Sequence, residues 1–366
     1  MLIIDNATVS ELLSMAECID VQEAAFRQVA SGGAIQRPRL DMYVPCERED
    51  GYYRWGTMEG TNDGILAIRM KSDVVSWPEV EGGGWRETKY CVEPGTYCGL
   101  VLLMSTANGE PLAFLNDGVL QHMRVGGGAG LGARHLARAD AESVGILGSG
   151  GMARTYLEAF ATVRPIRRAK VYSPTAANRE AFAREMSERL GIDVEPVTTA
   201  REAVRGVDIL ATCTDSMRPT FDAAWLEPGM HVTMLGPREV SEEVLARCDV
   251  RIRQGAGGLR LPESERVRGE IGHSPMAFIA GTAAEMQRLP TPGGGGGFGG
   301  DYPEFWRLAD GSVPGRESDE QITFYHNIGN QGLQFSSTGG LVYRKAKAAG
   351  RGREIPTEWF LQDIRD

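Results

Sequence analysis

Residues 143–160 read SVGILGSGGMARTYLEAF, and within them Gly148, Ser149, Gly150, Gly151, Met152 and Ala153 make a GxGxxA pattern. Alone, such a pattern is a weak signal. Here a run of small apolar residues that reads as a strand precedes it, and a helical pattern follows. That context suits phosphate chemistry. The first glycine makes a tight turn, the second lets backbone approach a pyrophosphate, and the alanine packs helix against strand. The helix N-terminus adds N–H groups and the positive end of its dipole. The next strand ends in YSPT at residues 172–175. A site for NAD usually carries Asp or Glu there, to hold the ribose 2′-hydroxyl. Ser173 and Thr175 stand in its place, with Arg179 just downstream. Hydroxyls and a cation accept a 2′-phosphate, so the expected cofactor is NADP, with NAD as the alternative. Thr212, Cys213 and Thr214, which close the stretch DILATCT, are counted with the cofactor-binding residues.

A loop of this kind needs a frame. From residue 143 to 253, the stretches SVGILG, RAKVYS, DVEPVT, DILATCT, HVTMLG and DVRIRQ alternate with helical ones. That alternation predicts a parallel, doubly wound sheet, an α/β fold. The first part differs. Residues 8–31 read as one or two helices stopped by Gly32-Gly33, residues 39–77 alternate short apolar and polar stretches, and 64–77 and 97–118 read as strands, with a hairpin turn at NGEP. Residues 317–350 read as a return to helix. LPTPGGGGGFGGDYP at 289–303 is low in complexity and reads as a surface loop.

The 366 residues suffice for two domains. A hydrophobic share of 42 % and a charged share of 24 % are ordinary globular usage. The net charge of −10 argues against broad nucleic-acid binding. No apolar run reaches membrane-spanning length, and the N-terminus has no basic region or cleavage site of a signal peptide. The six cysteines form no CxxC pair. The expectation is reduced, buried thiols in the cytoplasm and no metal site.

Several segments, in order, resemble the ornithine cyclodeaminase/μ-crystallin family: RPRLDMYVP (37–45), AIRMKSD (67–73), NGEPLAFLNDGVLQHMRVGGGAGLGARHLAR (108–138), SVGILGSGGMA, and DGSVPGRESDEQITFYHNIG (310–329). The resemblance implies a central nucleotide domain, residues 123–313. It also implies a substrate-binding and dimerisation domain made from both ends, residues 1–122 and 314–366. It implies that Arg39 and Arg124 grip a substrate carboxylate and that Lys71 contacts the carboxylate and the reacting nitrogen. These residue types suit those tasks: a guanidinium is a planar fork for a carboxylate, and a desolvated lysine exchanges protons near neutral pH. Met58, Glu59 and Gly236 are expected at the substrate pocket. Tyr53, Trp55 and Trp77, around the extended stretch 76–90, are candidates for an aromatic pocket wall.

Two departures stand out. Deaminating family members carry an aspartate after the strand that here ends in MLG, whereas Pro237-Arg238 follows Gly236 directly and only Glu239 is near. Gln334 stands where an acid is common. The expected function is hydride transfer between a nicotinamide and the Cα of an imino or amino acid, by a homodimer that binds neither nucleic acid nor membrane. A redox-neutral ornithine-type cyclodeaminase and a non-catalytic NADP-dependent ligand-binding protein are the alternatives. An alcohol or sugar dehydrogenase needs a relay that none of the five histidines offers with a carboxylate close in sequence.

Overall fold

The computed structural model describes residues 1–79, 85–216, 218–236, 238–256, 264, 266–290 and 302–364. The chain opens with β1 (Leu2–Ile4), α1 (Asn6–Leu12) and α2 (Met15–Ala30). Ser14 and Glu17 cap α2 reciprocally, and its apolar face buries Cys18, Ile19, Ala25 and Phe26. Then come β2 (Ile35–Pro45), β3 (Gly51–Asn62), β4 (Ile65–Ser76), β5 (Thr88–Cys91), β6 (Glu93–Pro94), β7 (Cys98–Ser105) and β8 (Pro111–Asn116). The NGEP turn joins β7 to β8, with Gly109 at φ +79°. Helix α3 (Asp117–Leu136) leads into the alternating part: β9 (Ser143–Leu147), α4 (Gly151–Val163), β10 (Arg168–Tyr172), α5 (Ala176–Leu190), β11 (Asp193–Pro196), α6 (Ala200–Val204), β12 (Ile209–Thr212), β13 (His231–Met234), α7 (Glu242–Ala246) and β14 (Val250–Arg253). The last elements are β15 (Val267–Ile271), β16 (Ser274–Ile279), α8 (Ala283–Met286), α9 (Phe305–Ala309), β17 (Thr323–His326), α10 (Gln331–Ala348) and β18 (Arg353–Glu354).

Among the described residues these strands form two sheets. One is parallel throughout, in the order β11-β10-β9-β12-β13-β17-β14. Val144, Ile146 and Ala211 face one core with Tyr156, Phe160 and Phe182. Leu147, Leu210, Val232 and Phe324 face another core on the opposite side. The sheet is therefore covered on both faces, as a doubly wound fold requires. The second sheet is mixed, with the main path β15-β16-β2-β3-β4-β7-β8-β1-β18 and β5 and β6 branching from β4. Its inner face packs on α10 and α3.

Two expectations change here. The stretch TFYH at 323–326 is a strand, not helix. All four residues are buried between β13 and β14, and a run buried on both faces carries no alternation to mark it as a strand. It also extends the nucleotide-type sheet past residue 313. Conversely β15 and β16, inside the range 123–313, join the mixed sheet through β2. Neither boundary follows local texture, because both pairings link segments far apart in sequence.

Helix α3 carries a run of glycines for close packing. A Cβ at Gly126 would strike the backbone of Thr155 in α4, and one at Gly132 would strike the Tyr325 ring. Among the described residues no helix is long and apolar enough to cross a membrane. Cys18, Cys213 and Cys248 are buried, but Cys98 is exposed and Cys46 and Cys91 are half-buried, contrary to expectation. Most of the glycine stretch at 289–303 lies outside the described residues.

Candidate active site

Strand register builds the first half of the site. Asp41, Gly56, Lys71 and Gly99 lie opposite one another across β2, β3, β4 and β7. Opposed residues of antiparallel strands share a face, and here that face is buried. The glycines leave room for carboxylates: a Cβ at Gly56 would strike the side chain of Asp41, and one at Gly99 that of Asp117. Arg54 lies opposite Asp73, and Met58 opposite Arg69, on the same face.

Ion pairs link these side chains. Lys71 Nζ lies 2.9 Å from Asp73 Oδ2. Arg54, fully buried, donates through Nε and Nη2 to Asp73 at 2.8 and 2.6 Å, and through Nη1 to Glu87 at 2.9 Å. Glu87 is 3.3 Å from His273 Nδ1. Arg39 pairs with Asp41 at 2.7 Å and donates to the His273 carbonyl at 3.2 Å. Arg69 holds Asp117 at 2.6 Å. Tyr97 lies over both Lys71 Nζ (5.1 Å to the ring centroid) and the Arg69 guanidinium (5.6 Å).

Helix α3 supplies the second half. Arg124 is buried, with its guanidinium 4.9 Å from the Phe335 ring centre. Its Nε and Nη2 donate to Gln121 Oε1 at 3.2 and 2.8 Å, and Nη1 to Gln334 Oε1 at 2.6 Å. No carboxylate pairs with it among the described residues.

Burial and crowding of like charge shape the proton affinities. Burial, then Arg54, hold the Lys71 ammonium well below its ordinary pKa, against the pull of Asp73. Burial and Arg69 bring Arg124 down to about 9. Burial and Asp117 push Tyr97 up to about 12, so it stays a neutral phenol. Burial opposes ionisation of Glu87, yet Arg54 and His273 hold its carboxyl well below the usual range.

The glycine loop lies beside the same half of α3, where a Cβ at Gly151 would strike the His122 ring. Gly148 follows β9 with φ +107°, and a Cβ there would strike the Cys213 carbonyl. Only glycine fits. A Cβ at Gly150 would meet nothing within 4 Å, so that face of the loop is open. Gly150 caps α4, Gly151 begins it, and Ala153 is fully buried. Ser149 and Gly150 accept from Arg154 Nη1 at 2.7 and 3.2 Å, which fixes the loop. Ser149 and Met152 are half-buried. At the end of β10, Ser173 is buried and Thr175 exposed, and Arg179 lies over the turn, donating to the Ser173 carbonyl at 3.0 Å. Such a cradle with an open face fits a dinucleotide pyrophosphate.

Glu239 explains the threonines. It is fully buried and accepts from Thr212 Oγ1 at 3.1 Å, from Thr214 N and Oγ1 at 2.6 Å each, and from the backbone N–H of Leu235 and Gly236. It clamps the ends of β12 and β13 together. With five donors it is a loop fastener, and Gly236 has its N–H engaged. Pro237 lies outside the described residues.

Lys71, Arg124 and Arg39 thus come together, and Met58 lies beside Arg69. Glu59 does not join them. It faces away and pairs with Arg37, because alternation puts it on the opposite side of β3 from Met58. Tyr53 and Trp55 point outward for the same reason, and Trp77 stacks on Tyr43 at 6.0 Å within a separate core. Two histidines do have carboxylate partners from distant segments: His135 with Glu23 and His273 with Glu87.

Most of the chain matches one family model. Residues 1–349 match the ornithine cyclodeaminase/mu-crystallin family. The chain belongs to this family. A Bacillus thuringiensis Delta(1)-pyrroline-2-carboxylate reductase is 29% identical over 355 residues, covering 97% of this chain and 99% of its own. The Thermococcus litoralis Delta(1)-pyrroline-2-carboxylate reductase, solved with NADH and L-proline, superposes with a TM-score of 0.75 at 25% identity, over 97% of this chain and all of that one. An archaeal alanine dehydrogenase dimer with bound NAD has the same fold, with a TM-score of 0.73 at 23% identity, over 97% of this chain and 99% of that one. In this family member, sequence reasoning passed over Arg54, Arg69, Asp73, Glu87, Tyr97, Asp117 and Gln121. A signal existed for two of them: Arg69 and Asp73 alternate with Lys71 along one strand, so all three point to one face.

Proposed function

We propose that the protein is an NADP(H)-preferring oxidoreductase acting on an imino or amino acid, with hydride transfer at the carbon that bears nitrogen. The observation that carries the reading is one of charge. Arg39, Arg54, Arg69, Lys71 and Arg124 converge on one buried region. Asp41, Asp73, Glu87 and Asp117 each pair with an arginine other than Arg124. Among the described residues of this region, one buried cation is left for a substrate carboxylate and no carboxylate is left for a second ammonium. That favours an imino or amino acid over a diamino acid, and hence a reductase or dehydrogenase over an ornithine-type cyclodeaminase.

The residues then take these roles. Residues 148–153 hold the pyrophosphate on the α4 N-terminus, and the backbone at Thr212–Thr214 lines the same cleft. Ser173, Thr175 and Arg179 face the adenosine ribose and accept a 2′-phosphate. When bound, the nicotinamide supplies or accepts the hydride. Arg124 orients the α-carboxylate, with Arg39 as the second cation. Lys71 delivers a proton to the substrate nitrogen in the reductive direction and removes it in the oxidative one. Tyr97 and Phe335 exclude water. The mixed sheet, built from both chain ends together with β15 and β16, forms the substrate-binding and dimerisation unit, the parallel sheet forms the nucleotide unit, and two copies meet through the outer face of the mixed sheet.

Cofactor oxidation with cyclic and acyclic imino acids tests this. Net NADPH oxidation with a 2-carboxylated imine, and tighter binding of NADPH than of NADH that Arg179→Ala abolishes, is the expected result. Ammonia release from ornithine without net cofactor change would favour the cyclodeaminase. Absence of both would leave a binding protein.

A further inference from the structure

Among the described residues, the side-chain hydrogen bonds of Arg124 go only to neutral oxygens, and the way Gln334 is held fixes which of its amide atoms faces the guanidinium. Three of its N–H groups reach the side-chain oxygens of Gln121 and Gln334. Of a guanidinium's five donors, two remain. Gln334 cannot turn its amide over. Its Nε2 donates to Gln22 Oε1 at 2.7 Å and to the Arg124 carbonyl at 2.9 Å, with Gln254 Oε1 at 3.4 Å. Gln254 is itself fixed, donating to the Gly329 carbonyl at 2.5 Å. These acceptors force nitrogen toward themselves and oxygen toward Arg124. The amides reach this position because position 128 is glycine: a Cβ there would strike Gln254, Asn327 and Gln334. The nearest candidate counter-ion, Asp117, is committed to Arg69.

We propose that Gln121 and Gln334 are positioning residues that fix the Arg124 guanidinium without neutralising it, so that the site selects a ligand carboxylate over the corresponding uncharged amide. A carboxylate at either position would hold the arginine as well but satisfy its charge within the protein. A buried cation kept on neutral acceptors gains most when an anion arrives. The inference rests on the substrate-site reading above and concerns how that site discriminates.

The test is calorimetric titration of the full-length protein, with NADP present, using pyrrole-2-carboxylate and pyrrole-2-carboxamide, which are planar and not reducible. Wild type is expected to bind the carboxylate on the order of 10- to 100-fold more tightly than the carboxamide. Gln121→Glu, at a half-exposed helix position, and Gln334→Glu should each remove most of that preference while leaving NADP affinity unchanged. Gln334→Met removes the hydrogen bond but adds no charge, so it should weaken binding yet keep the preference. A merely structural role would make Gln334→Met and Gln334→Glu alike. The proposal is overturned if wild type shows no preference, or if Gln121→Glu retains it. A wild type that prefers the carboxylate but oxidises no NADPH with any imino acid would defeat the proposed reaction and leave this inference standing.

Discussion

Lys71 shows how a residue's chemistry depends on its surroundings. In water its ammonium would give up a proton only near pH 10.4. Here burial and Arg54 hold it well below that, while Asp73 at 2.9 Å keeps it in place. In the reductive direction the protonated form is the useful one, so the rate should fall as pH rises through the lowered value. The basic limb of the kcat profile is expected well below pH 10, and Lys71→Ala should erase it. The same variant should lower kcat on the order of 10²- to 10⁴-fold with little change in NADPH affinity. An unchanged limb in Lys71→Ala would assign the proton to another group. Lys71 and Arg124 were legible as candidates because their neighbours in sequence carry the family motif. Glu87 was not, because it reaches Arg54 from 33 positions away, through a loop whose path no local pattern encodes.

At the scale of elements, the strand–loop–helix unit of β9 and α4 was the most legible part of the chain. Its glycines answer local demands: φ +107° at Gly148 and contact with the Cys213 carbonyl. Gly148→Ala should therefore cost cofactor affinity at least tenfold in a fluorescence titration, while far-UV circular dichroism stays unchanged. The parallel sheet makes a second prediction. Burial holds His231 in β13 and His326 in β17 down at about 3, against an ordinary 6.5. Below pH 6.5 the unfolded chain then binds protons that the folded chain refuses. Stability should fall as pH drops from about 6.5 toward about 3, by up to about 1.4 kcal/mol per pH unit for each histidine. Urea unfolding at pH 7 and pH 5 measures this, and His231→Gln should flatten the dependence.

At the scale of the molecule, the outer face of the mixed sheet presents Phe278, Met42 and Trp55 in one row across β16, β2 and β3. Phe278 and Met42 are exposed, as are Val44 and Leu100 nearby. A contiguous apolar face of this kind is best covered by its own copy. Sedimentation velocity should find a dimer, and Met42→Glu should shift it to monomer. A wild-type monomer at micromolar concentration would reject the pairing.

The sequence by itself determined whatever rests on short-range periodicity and on local backbone demands. The alternating unit from 143 to 253, the glycine loop, the lack of an acid at the end of β10, and the inward alternation of Arg69, Lys71 and Asp73 are all of that kind. Only the tertiary structure decided that TFYH is a strand, that β16 leaves the central region to pair with β2, that Glu59 turns away, and that Arg124 meets two amides instead of a carboxylate. Those outcomes depend on pairings between residues far apart in sequence, such as Arg124 with Gln334 and Asp41 with Ala277. Their energies come from burial and charge balance in three dimensions, which no window along the chain contains.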